Sequence, residues 1–232
     1  MRRLWRGSRS QQWVVAAAFL IAGFASIRAI VATLGFPGSL AVFPVLLSFY
    51  QLGIAPAARL IGLYRYHSPM LKATIRTRRL YEVHGGTSFD YLMQLRWRDR
   101  GCSASRRIMI HYLEGLLDIA RLVAAGEIAE SVQVSGTSYF FSEQSARRIG
   151  FRIRPAGIRL RLNLLLNALD ITVLYSFAKG RLAIPNLLRA REAVISGWEL
   201  VARRAVIEAV IRKLRQESTA RETSAAHQAL CA

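Results

Sequence analysis

The sequence predicts an α+β protein in which an N-terminal two-helix transmembrane hairpin is followed by a small cytoplasmic α+β domain ending in a long helix. Three observations favour this class. The first 81 residues carry eleven arginines and lysines and no acidic residue, and Arg28 is the one charged residue between positions 12 and 58. Strand-like and helix-like segments follow it along the chain. The net charge of +19 is concentrated beside the apolar segments and around positions 147–161.

The hairpin consists of two apolar segments, near 13–34 and 39–60, separated by a Gly35-Phe36-Pro37-Gly38 turn. Each segment reaches about 20 residues, the length that crosses a hydrocarbon core. Basic residues flank the hairpin on both sides, and such flanks stay in the cytoplasm. We therefore expect a multi-pass protein of a bacterial inner membrane with both termini cytoplasmic. The flanking residues are Arg2, Arg3, Arg6 and Arg9 before it, and Arg65, Lys72, Arg76, Arg78 and Arg79 after it.

Three other interpretations of this region stay open. Residues 1–10 resemble the basic region of a cleaved signal peptide, with a weak cleavage site near Gly23. The prolines Pro37, Pro44 and Pro56 could break the helices, as in a monotopic hairpin that enters one leaflet. The segment could also be a buried hairpin of a soluble protein. The favoured interpretation gives a basic N-terminus at 1–11, a membrane hairpin at 12–62, an α+β domain at 66–216 and a disordered tail at 217–232.

Periodicity predicts the elements of the α+β domain. Residues 70–98 alternate as strands do, with a hairpin or bulge at Gly85-Gly86. Apolar residues at helical spacing predict a helix over 105–125, and residues 131–141 are strand-like. A short helix should follow Ser142 and end near Gly150, before a strand over 151–154.

Two further helices are expected in the last third of the chain. Residues 158–178 place Arg159, Asn163, Asn167 and Asp170 on one face, which predicts an amphipathic helix. A third transmembrane span is the alternative, and Asp170 would then be a costly acid inside the membrane. A long helix is predicted from Pro185 to about 216. Its apolar stripe comprises Leu187, Val194, Trp198, Val201 and Ala205.

An internal echo suggests where ligands bind. The segments His84-Gly85-Gly86-Thr87-Ser88-Phe89 and Ser135-Gly136-Thr137-Ser138-Tyr139 both place Gly-Thr-Ser before an aromatic residue. Glycine permits close approach of the backbone, and hydroxyls bind phosphate or carboxylate oxygens. The alternative is that glycine marks a bulge and that Thr-Ser fills ordinary strand positions. The predicted ligand-binding residues are Gly86, Thr87, Gly136, Thr137 and Ser138.

Three residues of the first segment are candidates for catalysis. His84 and Asp90 could act as an acid/base pair, and Ser88 as a nucleophile. If residues 87–91 are extended, side chains two residues apart share a face, so a His–Ser–Asp set is geometrically allowed. The segment lacks the strained G-x-S-x-G elbow of serine hydrolases and the lysine of a Walker A loop.

The densest basic cluster of the water-facing part predicts an anion or lipid contact. Beside an anionic leaflet, lipid headgroups are its simplest partner. An acidic protein or a nucleotide-like ligand is the next alternative, and nucleic acid is less favoured. The cluster comprises Arg147, Arg148, Arg152, Arg154, Arg159 and Arg161.

The segment from Ser145 to Arg152, SARRIGFR, resembles the short helix and Gly-Phe strand near the end of GNAT-type acetyltransferases. The resemblance covers about eight residues. An acetyl-CoA pyrophosphate loop of the form Arg/Gln-x-x-Gly-x-Gly/Ala does not accompany it convincingly. The resemblance therefore does not assign a family.

The sequence leaves two functions to compare. The first is a membrane-anchored accessory or assembly protein whose basic domain docks on anionic lipid or an acidic partner. The second is a membrane-associated enzyme, of hydrolase or acyltransferase type, acting on a lipid-linked or acyl substrate. Cys102 and Cys231 have no metal-ligand spacing, and the four histidines form no metal signature, so no metal site is predicted. The sequence indicates no particular cofactor.

Overall fold

The computed structural model describes residues 9–77, 79–137 and 143–230. Helix α1 covers Arg9–Leu60, and Gly35, with φ 66° and ψ 174°, interrupts it. That backbone conformation suits glycine, since it lacks a β-carbon, and it lies where the sequence predicted a turn. The part of α1 from Ala16 to Gly35 is 20 residues long, with a mean hydropathy of 2.0, and is apolar enough to cross a membrane.

The described part of this apolar helix is largely uncovered by protein. Ile21, Phe24 and Leu34 expose 69%, 60% and 54% of their surface. A hairpin buried in the core of a soluble protein would cover such side chains, so that alternative is disfavoured. The second predicted span, 39–60, is helical, but residues 36–56 lie outside the described side chains, as residues 1–8 lie outside the described backbone.

A six-stranded mixed sheet forms the centre of the described domain. Its order is β1-β2-β3-β4-β6-β5, with β3 and β4 parallel and the other neighbours antiparallel. The α+β class is therefore confirmed. The strands are β1 Arg65–Ser68, β2 Leu71–Thr77, β3 Leu80–Gly85, β4 Gln133–Thr137, β5 Arg152–Pro155 and β6 Arg191–Ser196.

The helices pack around this sheet and connect its strands. Between β3 and β4 the chain crosses over through α2 and α3, which lets the two strands run parallel. Two short 3₁₀ turns lie at Trp97–Asp99 and Leu187–Arg189. The helices after α1 are α2 Ser88–Gln94, α3 Cys102–Ala124, α4 Glu143–Ile149, α5 Ile158–Leu166, α6 Ala168–Lys179, α7 Gly197–Ala202 and α8 Arg204–Leu230.

The core lies between α3 and one face of the sheet. Leu113, Leu116, Ala120 and Val123 of α3 are buried, which matches the helical spacing in the sequence. At Gly115 a β-carbon would lie 2.6 Å from the Cδ2 atom of Leu71, so glycine permits the close approach of helix and strand. The helix predicted over 105–125 is therefore confirmed, with α3 at Cys102–Ala124.

Two other predicted elements are also present, and a third is only partly described. The short helix before Gly150 is α4, and the strand after it is β5. The predicted strand at 131–141 corresponds to β4 at Gln133–Thr137, while residues 138–142 lie outside the described residues.

The long helix predicted from Pro185 to 216 is wrong over its first part, whereas the domain does end in a long helix, α8. Residues Arg191–Ser196 form β6, which pairs with β4 on one side and β5 on the other. Two pairing edges outweigh the helical spacing of the apolar residues because a central strand satisfies its backbone groups on both sides. A capping box then starts α7, as Ser196 Oγ and the backbone N–H of Ser196 both donate to Glu199 Oε2. The final helix is α8, which continues to Leu230 and so includes most of the predicted disordered tail.

The strand-like pattern predicted over 70–98 holds for its first half alone. The chain reverses between Thr77 and Leu80, and Gly85-Gly86 leads out of the sheet instead of forming a hairpin. Thr87 caps α2 in a capping box with Asp90, so residues 88–94 are helical where an extended segment was expected.

The amphipathic helix predicted over 158–178 is divided. Helices α5 and α6 meet at Asn167 with a bend of 75°. Together the two helices are long and apolar enough to form a broken membrane span or a re-entrant loop. A single straight helix at this position is therefore wrong.

Candidate functional site

A cavity of about 260 Å³ opens at the carboxyl ends of the parallel pair β3 and β4. His84 and Gly85 border it from β3, and Gly136 and Thr137 border it from β4. In sheets with parallel strands, this edge is a common position for ligands because the chain leaves adjacent strands in divergent directions. The apolar wall includes Leu71, Val83, Leu116, Ile149, Phe151 and Leu164.

Polar groups are few and lie around this apolar wall. Glu143 at the start of α4 forms an ion pair with Arg191 of β6, at 3.3 Å between Oε1 and Nε. Tyr112 of α3 shares a 2.6 Å hydrogen bond between its hydroxyl and that of Tyr91. Burial raises the pKa of Tyr112 to about 12, so its hydroxyl stays protonated at neutral pH. A mostly apolar cavity with a few oriented polar groups is typical of sites for organic ligands.

A row of polar residues crosses the sheet at the same level. The register pairs Tyr66 of β1 with Lys72 of β2, and Lys72 with His84 of β3. Directly opposed residues point to the same face of a sheet. Thr137 follows Gly136, the partner of Val83, and therefore lies beside His84. The pairing of strands thus brings His84 and Thr137 together from positions 53 residues apart in the sequence.

Lys72 is buried within this row. It exposes 7% of its surface, and its Nζ atom lies 4.1 Å from the centroid of the Tyr64 ring. Burial lowers the pKa of Lys72 to about 8, and the opposing attraction of Asp90 recovers part of that shift. The ammonium group is therefore held near a carboxylate and an aromatic face instead of in water.

Asp90, a predicted catalytic residue, has a structural position. Its Oδ2 atom accepts hydrogen bonds from the Thr87 N–H at 2.7 Å, the Thr87 hydroxyl at 2.9 Å and the Tyr66 hydroxyl at 3.1 Å. Burial raises the pKa of Asp90, and the hydrogen bonds from Thr87 act against that rise. Among the described residues, Oδ1 is buried and has no hydrogen-bond partner. These contacts fasten α2 over the polar face of the sheet.

The extended His84–Ser88–Asp90 arrangement is therefore wrong in its geometry. Ser88 is the first residue of α2, and Asp90 turns back to cap that helix. Side chains two residues apart do not share a face in a helix, because successive residues are about 100° apart. Of the three residues, His84 is the one that borders the cavity.

The predicted ligand-binding residues separate into two groups. Gly136 and Thr137 border the cavity. The N–H of Gly86 donates to the Met70 carbonyl oxygen at 2.8 Å, and Thr87 is occupied by the cap of α2. Ser138 lies outside the described residues. The two segments of the echo therefore lie on neighbouring strands, but they do not form equivalent halves of one site.

The basic cluster is divided among several environments. Arg154 binds Glu192 through two hydrogen bonds of 2.8 and 2.9 Å, which raise the pKa of Arg154, and Arg152 contacts Glu199 at 3.4 Å. Arg161 is half-buried, with an Nε atom that lacks a partner among the described residues. The exposed members are Arg147, Arg148 and Arg159, besides the paired Arg152 and Arg154. Half of the cluster is thus either partly neutralised or partly covered.

A partly buried Asp–His–Tyr hydrogen-bond chain was missed in the sequence. The Nδ1 atom of His67 lies 2.8 Å from Asp118 Oδ2, and its Nε2 atom lies 2.6 Å from the Tyr81 hydroxyl. Burial lowers the pKa of His67, whereas burial raises that of Tyr81 to about 12. No local motif links these residues because Asp118 reaches His67 from α3, 51 positions away. These two hydrogen bonds fix α3 against the β1 edge of the sheet.

Within residues 9–77, 79–137 and 143–230, no group of three or more histidine, cysteine or acidic residues could hold a metal ion.

The chain matches no protein-family model, and no curated protein or solved structure is significantly similar to it.

The partial likeness to GNAT-type acetyltransferases is only partly matched by the local structure. Segment SARRIGFR covers the end of α4 and the first residue of β5, and its Gly150-Phe151 pair lies between the two elements instead of in a strand. Residues Arg98 to Ser103, the last two of which belong to α3, read Arg-x-x-Gly-x-Ser, which departs from the pyrophosphate loop at its last position. The N–H of Gly101 donates to the Phe177 carbonyl oxygen at 2.8 Å. The start of α3 therefore packs against the carbonyl end of α6, and it provides no support for a bound pyrophosphate.

Proposed function

We propose that this protein is a membrane-associated enzyme of the acyltransferase type that binds an acyl or lipid-linked substrate in the cavity beside β3 and β4. The observation that carries the proposal is the position of His84 and Thr137 at the edge of a mostly apolar cavity, in a chain whose N-terminal helix is apolar enough to cross a membrane. The proposed topology has a second span at 39–60, with both termini on the cytoplasmic side of a bacterial inner membrane.

The size and lining of the cavity favour an acyl chain. Its volume of about 260 Å³ lies slightly below the range of roughly 300–1,000 Å³ common for small-molecule sites. One chain or ring therefore fits, whereas a complete lipid does not. Apolar walls favour hydrocarbon, at about 0.8 kcal/mol for each buried methylene group. The reacting carbonyl would then lie near the strand ends, where the polar groups are.

The proposed reaction is acyl transfer from an ester or thioester to an alcohol or amine. The oxygen or nitrogen of the acceptor alcohol or amine attacks the carbonyl carbon, and His84 takes the proton that this atom loses. The Thr137 hydroxyl donates a hydrogen bond to the carbonyl oxygen as negative charge develops there. The bond to the leaving alcohol or thiol breaks, and protonated His84 returns the proton to that group. No covalent enzyme intermediate is needed, which agrees with the position of Ser88 at the start of α2.

A second candidate is the accessory or assembly protein that docks on anionic lipid or an acidic partner. The exposed Arg147, Arg148 and Arg159 favour it. The ion pairs of Arg152 and Arg154 weaken it, since paired cations attract a distant anion less. Nucleic acid remains the least favoured partner for the same reason.

The experiment fills the cavity and measures acyl binding. Full-length protein in detergent micelles is incubated with a photoactivatable long-chain acyl thioester, and crosslinking is quantified by mass spectrometry. Ala193→Leu places three additional carbon atoms at the cavity wall and should reduce crosslinking at least tenfold. Ala202→Leu, at an exposed position of α7, is the matched control and should leave crosslinking unchanged. Equal crosslinking of both variants and the wild type would refute a ligand in this cavity.

A second variant separates an enzyme from a binding protein. His84→Asn should keep acyl binding but lower the transfer rate by roughly 10²–10⁴-fold, the usual contribution of a general base. If His84→Asn binds the acyl probe and also fully supports the growth or envelope phenotype of the host, the accessory function is favoured over the enzyme.

A further inference from the structure

The segment that connects α6 to β6 lines the cavity with some of its residues and exposes apolar side chains of others to solvent. We call residues 181–190 the strap. Pro185 and Leu187 of the strap line the cavity. By contrast, Leu182, Ile184 and Leu188 expose 85%, 80% and 67% of their surface. The strap is therefore a thin wall between the cavity and the surroundings, and its outer side bears three large apolar side chains.

Hydrogen bonds hold the strap in this arrangement. The Ala183 N–H donates to Ser176 Oγ, and the Ser176 hydroxyl donates to the Ala183 carbonyl oxygen, each at 3.0 Å. At the other end, the Asn186 side chain accepts from the Arg189 N–H at 3.3 Å. Hydrogen bonds thus fix the backbone that carries the exposed Leu182, Ile184 and Leu188.

Helix α5 extends the apolar surface. It packs against the 3₁₀ turn Leu187–Arg189 within the strap. Four of its large apolar side chains are exposed as well, with Ile158 at 80%, Leu162 at 57%, Leu165 at 44% and Leu166 at 60%. A soluble monomer rarely exposes a contiguous apolar patch of more than a few hundred square ångströms. Strap and α5 together therefore require a covering partner.

The surrounding charges identify the chemistry of that partner. Exposed cations lie within or next to the apolar residues: Arg159 in α5, Lys179 at the end of α6, and Arg181 and Arg189 in the strap. Apolar side chains bordered by arginine and lysine are the pattern of segments that lie in the interface of an anionic membrane. An apolar protein partner would not need this rim of cations.

The position of α6 places the surface beside the membrane anchor. Helix α1 contacts both α2 and α6, and Ala58 and Leu60 near its C-terminal end are buried. The domain therefore lies against the C-terminal end of α1, the part that follows the interruption at Gly35. We infer that the strap and α5 lie in the anionic leaflet that holds α1, and that the cavity receives its lipid-linked substrate from that leaflet past the strap. The second half of this inference rests on the proposed acyl-binding function.

The test measures whether the strap contacts lipid. Cys102 and Cys231 are replaced by serine, and a single cysteine carrying a fluorophore is introduced by Ile184→Cys. The full-length protein is placed in nanodiscs of phosphatidylglycerol and phosphatidylcholine, with brominated acyl chains as the lipid quencher and iodide as the aqueous quencher. The label at position 184 should be quenched at least twofold more by brominated lipid, and less by iodide, than a control label.

Trp198→Cys provides the matched control. Trp198 exposes 58% of its surface, and its backbone N–H bonds to Glu130, beyond the C-terminal end of α3. The strap follows α6, whose C-terminal end packs against Gly101 at the other end of α3. A helix of 23 residues separates these ends by about 35 Å. The control label should therefore remain in water.

Two outcomes would overturn the inference. Equal quenching at positions 184 and 198 would show that the strap stays in water. Protection from iodide without quenching by brominated lipid would show that protein, such as a second copy of this chain, covers it. Because no acyl probe is present, failure here leaves the Ala193→Leu result intact, and failure of acyl binding leaves the lipid contact intact.

A charge variant tests the anionic component. Arg159→Ser and Arg181→Ser should each reduce the ratio of lipid-contacting to free strap by about fivefold in phosphatidylglycerol nanodiscs, with no change in pure phosphatidylcholine. Arg121→Ser, at an exposed position near the C-terminal end of α3, should have no effect in either lipid. An equal effect of Arg121→Ser and Arg181→Ser would remove the basis for a local charge contact.

Discussion

The buried ammonium group of Lys72 makes the stability of this protein depend on pH in a defined direction. Lys72 exposes 7% of its surface, and burial lowers its pKa from 10.5 to about 8. In the unfolded chain the same side chain is hydrated and keeps its proton up to about pH 10.5. Replacing it by methionine removes the titrating group while it preserves most of the side-chain volume.

The sign and size of the effect follow from proton linkage. Between pH 8 and 10.5 the unfolded chain binds more protons at this position than the native protein, so the free energy of unfolding rises with pH. The full shift corresponds to about 3 kcal/mol. This contribution is present above the unfolded pKa and is lost as the pH falls through the window to about 8. Below pH 8 both states hold the proton and the slope disappears.

The assay compares the free energy of unfolding of the wild type and Lys72→Met. Full-length protein in one detergent is unfolded with urea at pH 8, 9 and 10, and tryptophan fluorescence is followed. The wild type should gain about 2–3 kcal/mol relative to Lys72→Met between pH 8 and pH 10. Tyr81 and Tyr112, whose pKa values burial raises to about 12, affect both proteins equally and weaken them chiefly above pH 10.

Lys179→Met is the control, because Lys179 is exposed at the end of α6. The free energy of unfolding of the Lys179→Met variant should change with pH as that of the wild type does. If the curves for Lys72→Met and the wild type run parallel from pH 8 to pH 10, Lys72 is hydrated in the native protein, and the buried row Tyr66–Lys72–His84 is refuted.

Two further substitutions test the packing around the site. Asp90→Asn keeps the shape of the side chain but weakens three hydrogen bonds, so it should lower the free energy of unfolding by about 1–3 kcal/mol. The amount of membrane-inserted protein, measured by immunoblot, and the thermal unfolding temperature should both fall, whereas His84→Ala should leave the amount unchanged. Normal amounts of an inactive Asp90→Asn protein would indicate a direct role of Asp90 in the reaction. Gly115→Ala forces a β-carbon against Leu71 and should lower the free energy of unfolding in urea by about 1–3 kcal/mol. The β-carbon of Gly157→Ala meets no atom within 4 Å, so this variant should be as stable as the wild type. Equal stability of the two variants would contradict the packing of α3 on β2.

Local patterns predicted several elements because their causes are local. The apolar run before Gly35 and the interruption at that glycine follow from hydropathy and turn chemistry alone. The stripe that places Leu113, Leu116 and Ala120 on one side of α3 repeats at helical spacing. The same reasoning failed for Val194, because its spacing from Leu187 and Trp198 also fits a helix, and β6 forms only through pairing with two distant strands.

The candidate site was only partly predictable, because its parts meet through strand register. The Gly-Thr-Ser echo drew attention to Gly136 and Thr137, which do border the cavity. It gave equal weight to Asp90, although the Thr87-x-x-Asp90 spacing is that of a capping box and indicates the start of α2. The burial of Lys72 and the bond from His67 to Asp118 have no signal in the sequence, as each depends on contacts between separate elements.

Hydropathy and charge along the sequence established that the N-terminal region contains a helix able to cross a membrane, and that basic residues precede and follow the apolar region 12–58, since both properties add along a chain whatever its fold. Tertiary structure decided which polar side chains share a site. His84 and Thr137 meet because the crossover through α3 makes β3 and β4 parallel neighbours, and the strap bears apolar side chains on its outer side because its inner side closes the cavity. Proximity of this kind arises from long-range pairing, and no local pattern encodes it.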